Sequence, residues 1–276
     1  MPDSNENNVA SRGPLGIMHV HSTYSDGEFS LKELRETFLD EDCAFICMTD
    51  HAEYFDEDKF RAYSEECERL SCDRLRFVPG LEYSCERKMH ILGYGARLLA
   101  TSQEPQEVIR FIEDQGAVSV IAHPRDDSFE WIESFESLPM GIEAWNTKYD
   151  GQYAPRAHTF ALIQRAQQRR PELKAFYGLD LHWRKQNRLM RVELESREVT
   201  RDSVIRALSE GKFQAHKGGF ALPSNGTVPQ AQLAEFAAVN VRSRRLTQIL
   251  KNGKKVLDRV GIRVPSSIKA QLRRIF

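Results

Sequence analysis

No stretch of the 276 residues approaches the ~18 consecutive apolar positions that a membrane-spanning helix needs, which excludes a helical span. The first fifteen residues, MPDSNENNVASRGPL, lack both the basic start and the apolar core of a secretory signal. Their polar, Pro- and Gly-containing composition predicts a disordered leader over 1–15 and a cytoplasmic protein. Cysteine is scarce and odd in number: Cys43, Cys47, Cys67, Cys72 and Cys85 show no C-x-x-C spacing. That argues against a disulfide framework and a thiolate zinc site, and leaves reduced thiols packed in a core. No internal repeat or low-complexity tract is visible, so repeat architectures are set aside.

What remains is a soluble globular composition, 41% hydrophobic and 29% charged, in a chain long enough for one substantial core with an appendage. The net charge of -1 hides an asymmetry. From Val241 to Phe276 there are 11 basic residues and one acid, a net +10; the preceding 240 residues hold 28 basic and 39 acidic residues, a net -11. An acidic body with a basic tail implies a partner for the tail.

From Gly16 to about Gly219, short β-like runs alternate with helix-like stretches, as in a parallel α/β architecture. The predicted strands are GIMHVH (16–21), FICMTDH (45–51), RFVPGLEYS (76–84), MHILGYG (89–95), AVSVIAHP (117–124), GIEAWN (141–146) and AFYGLDLH (175–182), with RVELE (191–195) as an edge strand. Ser30 and Glu33 form a capping box opening one helix, and DEDKFRAYSEECERL places its acids early and Arg69 late, as the helix dipole favours. Further helices fit EPQEVIRFIEDQG, residues 153–170 and TRDSVIRALSEG.

Nearly every predicted strand ends in a His, Asp or Glu. In barrels of alternating strands and helices the C-terminal strand ends converge on one face. Six of the eight histidines belong to this set: His19, His21, His51, His90, His123 and His182, beside Asp26, Glu82 and Asp180. A lone strand histidine is usually a hydrogen-bonded core residue. Six at strand ends, with His-x-His and Asp-x-His pairs whose i, i+2 spacing puts both side chains on one face, point to metal ligation instead. Mixed imidazole and carboxylate donors suit Zn, Mn or Fe.

His19-x-His21-Ser22 with Ser25-Asp26-Gly27, Thr49-Asp50-His51, Gly80-Leu81-Glu82, His90-Ile-Leu-Gly93, Ala122-His123-Pro124 and Gly178-Leu-Asp180-Leu-His182 resemble, in order, the motifs of the polymerase and histidinol phosphatase (PHP) superfamily. The likeness covers about residues 16–215. It implies a distorted (β/α)7 barrel over 16–220, after the leader and before a basic amphipathic helical tail over 221–276. It further implies two or three divalent ions at the barrel mouth. One would be held by Asp26, His51 and His182, a second by His19, His21 and Asp180, and a third by His90 and His123, with Glu82 bridging the last two. Such a site implies hydrolysis of phosphate esters by a hydroxide shared between ions.

Arg125 and Arg184, just beyond His123 and His182, are candidate catalytic and phosphate-gripping residues, since a guanidinium can donate two parallel hydrogen bonds. The alternative is a surface arginine; for Arg125, one paired with Asp126 or Asp127. Asp50 is a candidate catalytic-site residue that orients a ligand histidine, or a turn cap. Asn146, with Trp145 and Lys148, is a candidate substrate contact, although a buried Trp145 anchoring the rim is equally compatible. His158 and His216 lie outside every motif and read as structural or surface residues.

In the tail, Leu246, Ile249, Leu250, Leu257 and Val260 form an apolar stripe flanked by Arg244, Arg245, Lys251, Lys254 and Lys255, with Gly253 and Gly261 expected to break or end the helix. Such a helix can dock on the acidic body, lie on an anionic membrane surface as a peripheral attachment at the inner membrane, or hold nucleic acid. Three functions therefore stand open: a phosphatase or phosphodiesterase acting on a small phosphorylated molecule or nucleotide, a 3'-5' exonuclease-like nuclease, and a phosphotyrosine phosphatase tied to a membrane or polysaccharide system. The body's negative charge disfavours an extended nucleic-acid track. The short His90–His123 and His123–Asp180 intervals leave no room for an extra domain over the site.

Overall fold

The computed structural model describes residues 13–259 apart from 187, 189 and 197. Strand β1 (Leu15–Val20) is buried from Gly16 onward and leads to α1 (Leu31–Asp40). The capping box closes the start of α1: Ser30 Oγ accepts from Glu33 N, and the Glu33 carboxylate accepts from Ser30 N at 2.9 Å. Leu31, Leu34 and Phe38, spaced by three and four, bury its inner stripe. Then come β2 (Phe45–Met48), β3 (Asp50–His51), α2 (Glu57–Leu70), β4 (Arg76–Val78), β5 (Gly80–Ser84), β6 (His90–Tyr94), α3 (Pro105–Asp114), β7 (Val118–Ile121), α4 (Phe129–Glu133), β8 (Gly141–Asn146), α5 (Ala157–Gln167) and β9 (Lys174–Gly178). The chain finishes with β10 (Arg191–Leu194), α6 (Arg201–Glu210), β11 (Phe213–Lys217), β12 (Phe220–Pro223) and α7 (Gln230–Arg259).

The strands form two mixed six-stranded sheets, ordered β12-β11-β10-β1-β2-β4 and β3-β5-β6-β7-β8-β9. The chain passes from one to the other at Thr49, between β2 and β3, and at Pro79, between β4 and β5. On the far side, Leu179 N donates to Met18 O at 3.0 Å, Leu181 N to His19 O at 3.1 Å and His21 N to Leu181 O at 3.0 Å, tying the segment after β9 to β1. The apolar faces meet in one core that includes Ile17, Phe45, Phe77, Ile91, Val120, Trp145 and Phe176. Burial of such apolar area is what holds the layers together.

Several expectations are corrected. The pattern is not uniformly parallel: β6 runs antiparallel to both β5 and β7, because the short stretch 85–89 cannot make the long crossover that parallel neighbours require. RVELE is not an edge strand, since β10 lies between β1 and β11. Gly218 and Gly219, at φ 57° and 85°, form the two-residue turn of the β11–β12 hairpin, a backbone conformation that glycine adopts without strain. The expected boundary at 220/221 therefore cuts β12. The expected helix 153–170 is shorter, starting at Ala157 after the extended cap residue Arg156. Helix α7 continues through Gly253 instead of breaking there, and its start is docked: Phe236 is fully buried, 6.1 Å from the Phe160 ring and 5.0 Å from the Phe220 ring. The leader up to residue 12, and the end of the basic tail including Val260 and Gly261, lie outside the described residues. Among the described residues no helix is long and apolar enough to cross a membrane.

Candidate metal centre

The C-terminal end of β1 carries the first two candidate ligands. At His19 the backbone turns to φ 61° and the register with β2 slips between Met18 and Val20, a bulge that re-aims the side chain. His123 (φ 28°) and Asp180 (φ 54°) share this uncommon backbone. Non-glycine residues in that region carry strain that surrounding contacts must hold, and such strain gathers at functional sites.

Glu82, on β5 and 1% exposed, is the hub. Its Oε2 lies 3.2 Å from His19 Nε2 and 3.1 Å from His21 Nε2; its Oε1 lies 2.8 Å from His90 Nδ1 and 3.2 Å from His123 Nε2. His51 Nδ1 is 3.7 Å from Oε2. Burial opposes its charge, but the surrounding histidines, His19 first, hold its carboxyl well below the usual carboxylate range. Asp180 Oδ1 lies 3.8 Å from both His19 Nε2 and His21 Nε2 and 3.0 Å from His182 Nδ1. Asp26 Oδ1 faces His182 Nε2 at 3.3 Å, His21 Nδ1 at 3.7 Å and His51 Nε2 at 3.8 Å. Burial likewise opposes the charge on His182, yet hydrogen bonds to Asp180 and Asp26 push its pKa up to about 9.

All nine expected ligands thus meet, in four overlapping groups: His21, Asp26, His51 and His182; His19, His21 and Asp180; His19, Glu82 and His123; His51, Glu82 and His90. The first two reproduce the partition implied by the resemblance, with His21 added to the first. The third is split: His90 and His123 both contact Glu82 but fall in different groups. These residues fit divalent cations on an independent observation. Among the described residues neither ring nitrogen of buried His21, nor Nδ1 of His51, makes a hydrogen bond of good geometry, although Glu82 Oε2 lies 3.1 Å from His21 Nε2, and burial pushes the His21 pKa down to about 3, which favours the neutral ring that carries a lone pair. A buried imidazole left without a partner is costly unless something else takes its lone pair.

The surrounding shell corrects other expectations. Asp50 is fully buried and its carboxylate hydrogen-bonds to no ligand histidine among the described residues; it accepts from Ser22 N at 2.8 Å and Ser25 Oγ at 2.7 Å, pinning the loop that carries Asp26. Asn146 is also fully buried, and its Nδ2 is taken up inside the protein, donating to Glu143 at 2.9 Å and Asp180 at 3.1 Å. Arg125 is exposed and paired with Asp127 at 2.7 Å. Arg184 pairs with Glu33 and stacks on Phe29, with its ring 4.5 Å away, so its guanidinium is turned from the cluster. Trp145 is a buried rim anchor whose Nε1 donates to Gly151 O at 2.8 Å. His158 and His216 pair with Asp126 and Glu193, outside the cluster. The cysteines are free thiols, all buried except the intermediate Cys72.

Sequence reasoning missed Glu143, on β8, whose Oε1 lies 2.9 Å from His19 Nδ1 and whose Oε2 accepts from His123 N at 2.8 Å. The signal was available: it is the sole acid inside the apolar run GIEAWN, and a buried charge needs partners. Lys148 places Nζ 3.1 Å from Asp180 Oδ1 and 3.2 Å from His182 Nδ1. Beside His90 and His123 opens a cleft of about 390 Å³ that Lys88, Arg125 and Trp131 also line.

A mixed α/β scaffold with imidazoles and carboxylates clustered at its strand ends defines a class of protein whose site residues could hold divalent ions. The family comparison is specific: residues 18–239 match the PHP domain model, and the chain belongs to the PHP domain family. Among solved structures, PsfC from Pseudomonas syringae has the same fold at 13% identity, with 86% of this chain and 99% of that one covered and a TM-score of 0.50. A two-domain protein from Bacteroides vulgatus containing a predicted PHP-like metal-dependent phosphoesterase is similar at 18% identity, over 80% of this chain and 68% of that one, with a TM-score of 0.49. The DNA polymerase/3'-5' exonuclease PolX of Bacillus subtilis is 28% identical over 75 residues, a stretch spanning 24% of this chain and only 13% of that protein's length.

Proposed function

We propose that this protein is a metal-dependent hydrolase of phosphate esters acting on a small phosphorylated molecule or nucleotide. The observation that carries the reading is the Glu82 carboxylate, buried with imidazole nitrogens of His19, His21, His90 and His123 within 3.2 Å. Membership of the PHP domain family supports it. The hydrogen bonds tying the segment after β9 back to β1 support a seven-stranded ring, β2 with β3 and β4 with β5 each counting as one strand.

Asp26, His51 and His182, with His21, would hold one ion; His19, His21 and Asp180 a second; Glu82, with His123 and His90, would link further coordination. Zn, Mn or Fe suits this donor set. When bound, such ions supply Lewis acidity and neutralise charge on a phosphoryl group, which is most of what phosphoryl transfer requires. The chain's own residues prepare the site. The Glu143 carboxylate facing His19 Nδ1 favours a proton there, so that Nε2 could offer its lone pair to an ion held between it and Glu82. Asn146 ties Glu143 to Asp180, and Lys148 balances Asp180.

The test is a panel of phosphomonoesters, linear and cyclic diesters, oligonucleotides and phosphopeptides with Mn, Zn or Fe added. Phosphate release that requires metal, and disappears in Glu82→Ala and His51→Ala, is expected; activity persisting in the stripped enzyme would falsify the reading. The short likeness to PolX supports a second reading as an exonuclease-like nuclease, for which oligonucleotides would be the preferred substrates.

A further inference from the structure

Exposed apolar side chains are not scattered evenly over this protein. Among the described residues seven large ones are exposed, and three of these, Tyr54, Tyr149 and Trp183, each bring a ring against a candidate ligand histidine. The Tyr149 ring lies 4.6 Å from that of His123, the Trp183 ring 5.7 Å from that of His182 and the Tyr54 ring 6.3 Å from that of His51, centre to centre. Single exposed aromatics are ordinary, but a set gathered around one polar cluster marks a surface that meets a ligand.

Two of the three stand together. The Lys148 ammonium lies 5.1 Å from the centre of the Tyr149 ring and 5.6 Å from that of the Trp183 ring, while donating to Asp180 Oδ1 at 3.1 Å. Both rings therefore border the same edge of the cluster. Tyr149 is 61% exposed and Trp183 46%, so their contacts with His123 and His182 cover only part of each ring. Tyr149 also borders, with His90 and His123, a cavity of about 930 Å³, a volume within the range of small-molecule sites. Its backbone is held in place, since the Tyr149 N–H donates to Asn146 Oδ1 at 3.1 Å and Asn146 is itself tied to Glu143 and Asp180.

These rings add nothing to the capture of a phosphoryl group, because the face of an aromatic ring carries the negative end of its quadrupole. What an open ring recognises is another flat ring, by offset or edge-on stacking. With the phosphoryl group at the imidazole and carboxylate cluster, the part of the ester that reaches Tyr149 and Trp183 is the group esterified to it.

We propose that Tyr149 and Trp183 are specificity-determining residues that seat a planar ring of the leaving group, so that the preferred substrates are phosphate esters of a phenol or a nucleoside and not of an aliphatic alcohol. The inference rests on the phosphate-ester reading above and narrows it.

The probes are phenylphosphonate and cyclohexylphosphonate, which share a phosphonate that hydrolysis cannot remove and differ in whether the ring is flat. Each is titrated calorimetrically into the Mn-loaded full chain, for the unmodified protein and for Tyr149→Leu, Tyr149→Phe, Trp183→Leu and the double leucine variant. The unmodified protein is expected to bind phenylphosphonate about fivefold more tightly than cyclohexylphosphonate, as a ring stack predicts. Each leucine variant should shrink that ratio, the double variant should bring it close to one, and Tyr149→Phe should keep it. Damage to the fold or to metal loading lowers both affinities together and leaves the ratio alone. Equal affinity of the unmodified protein for the two phosphonates, or no binding of either, overturns the proposal, as does a ratio that survives the double variant; hydrolysis of phosphate esters in those cases leaves the reading above intact. Turnover of phenyl phosphate against adenosine 5'-monophosphate then separates the two sources of the ring, the higher kcat/KM naming the one used. A preference for the flat ring in a protein that hydrolyses neither ester would overturn the enzymatic reading and leave the seat standing.

Discussion

Glu143 Oε1 lies 2.9 Å from Nδ1 of His19, while the other nitrogen of the same ring lies 3.2 Å from Glu82. One imidazole is thus clamped between two carboxylates, of which Glu143 favours a proton on Nδ1 and Glu82, on the proposed reading, shares an ion with Nε2. Replacing Glu143 by Gln keeps the shape and removes the charge. Metal affinity is expected to fall roughly 10- to 100-fold, read by competition with a chromophoric chelator. An unchanged affinity would mean that Glu143 only fills space.

The same clamp explains Gly178. A Cβ added there would fall 2.0 Å from Glu143 Oε1 and 2.8 Å from the His19 Cβ, too close for either to stay. Gly178→Ala is expected to cost about 1–3 kcal/mol of stability, as overpacking does, and to weaken metal binding. Combined with Glu143→Ala, which empties the space the methyl would enter, the two losses should be less than additive in a double-mutant cycle. Full additivity would separate the glycine from the clamp.

Asp50 offers a third check. Its carboxylate gathers Ser22 and Ser25, so Asp50→Ala should release the loop carrying Asp26 and reduce the rise in melting temperature that added metal produces. Leaving those buried donors unsatisfied should also cost about 1–3 kcal/mol in the metal-free protein. A full metal-induced rise in Asp50→Ala would show that the loop holds itself.

Much of this was legible in the sequence, for reasons that differ by residue. The nine ligands could be found because chemistry-bearing side chains interrupt apolar runs at strand ends, and the capping box at Ser30 because its signal is local. The antiparallel β6 and the β11–β12 hairpin were missed because strand direction is decided by pairing and connection length, which apolar alternation does not encode. Arg125 and Arg184 were placed by proximity along the chain, yet a side chain two residues from a ligand can point to solvent and find an acid there. Glu143 announces itself as the lone acid in the apolar run GIEAWN, but its partners His19 and His123 come from distant strands that only the folded chain brings together.

Asp150 gives a pH prediction away from the ligands. Burial pushes its pKa up from the ordinary 3.8 to about 6, although the Arg156 guanidinium, at 2.6 Å, pulls the other way. A carboxyl raised on folding favours the folded state in its neutral form. Its contribution is therefore fully present below pH 3.8 and is lost as pH rises through about 6. Urea denaturation across this range should show a falling component in the unmodified protein that Asp150→Asn lacks. Identical slopes in the two proteins would contradict the assignment.

The most direct test of the whole account is anomalous diffraction from crystals grown with Mn or Zn, with data collected at the metal edge. Peaks bordered by His21, Asp26, His51 and His182, and by His19, Asp180 and Glu82, are the predicted result. A map with no peak among these side chains, or with ions bound only elsewhere on the surface, would contradict the central claim that these residues share cations.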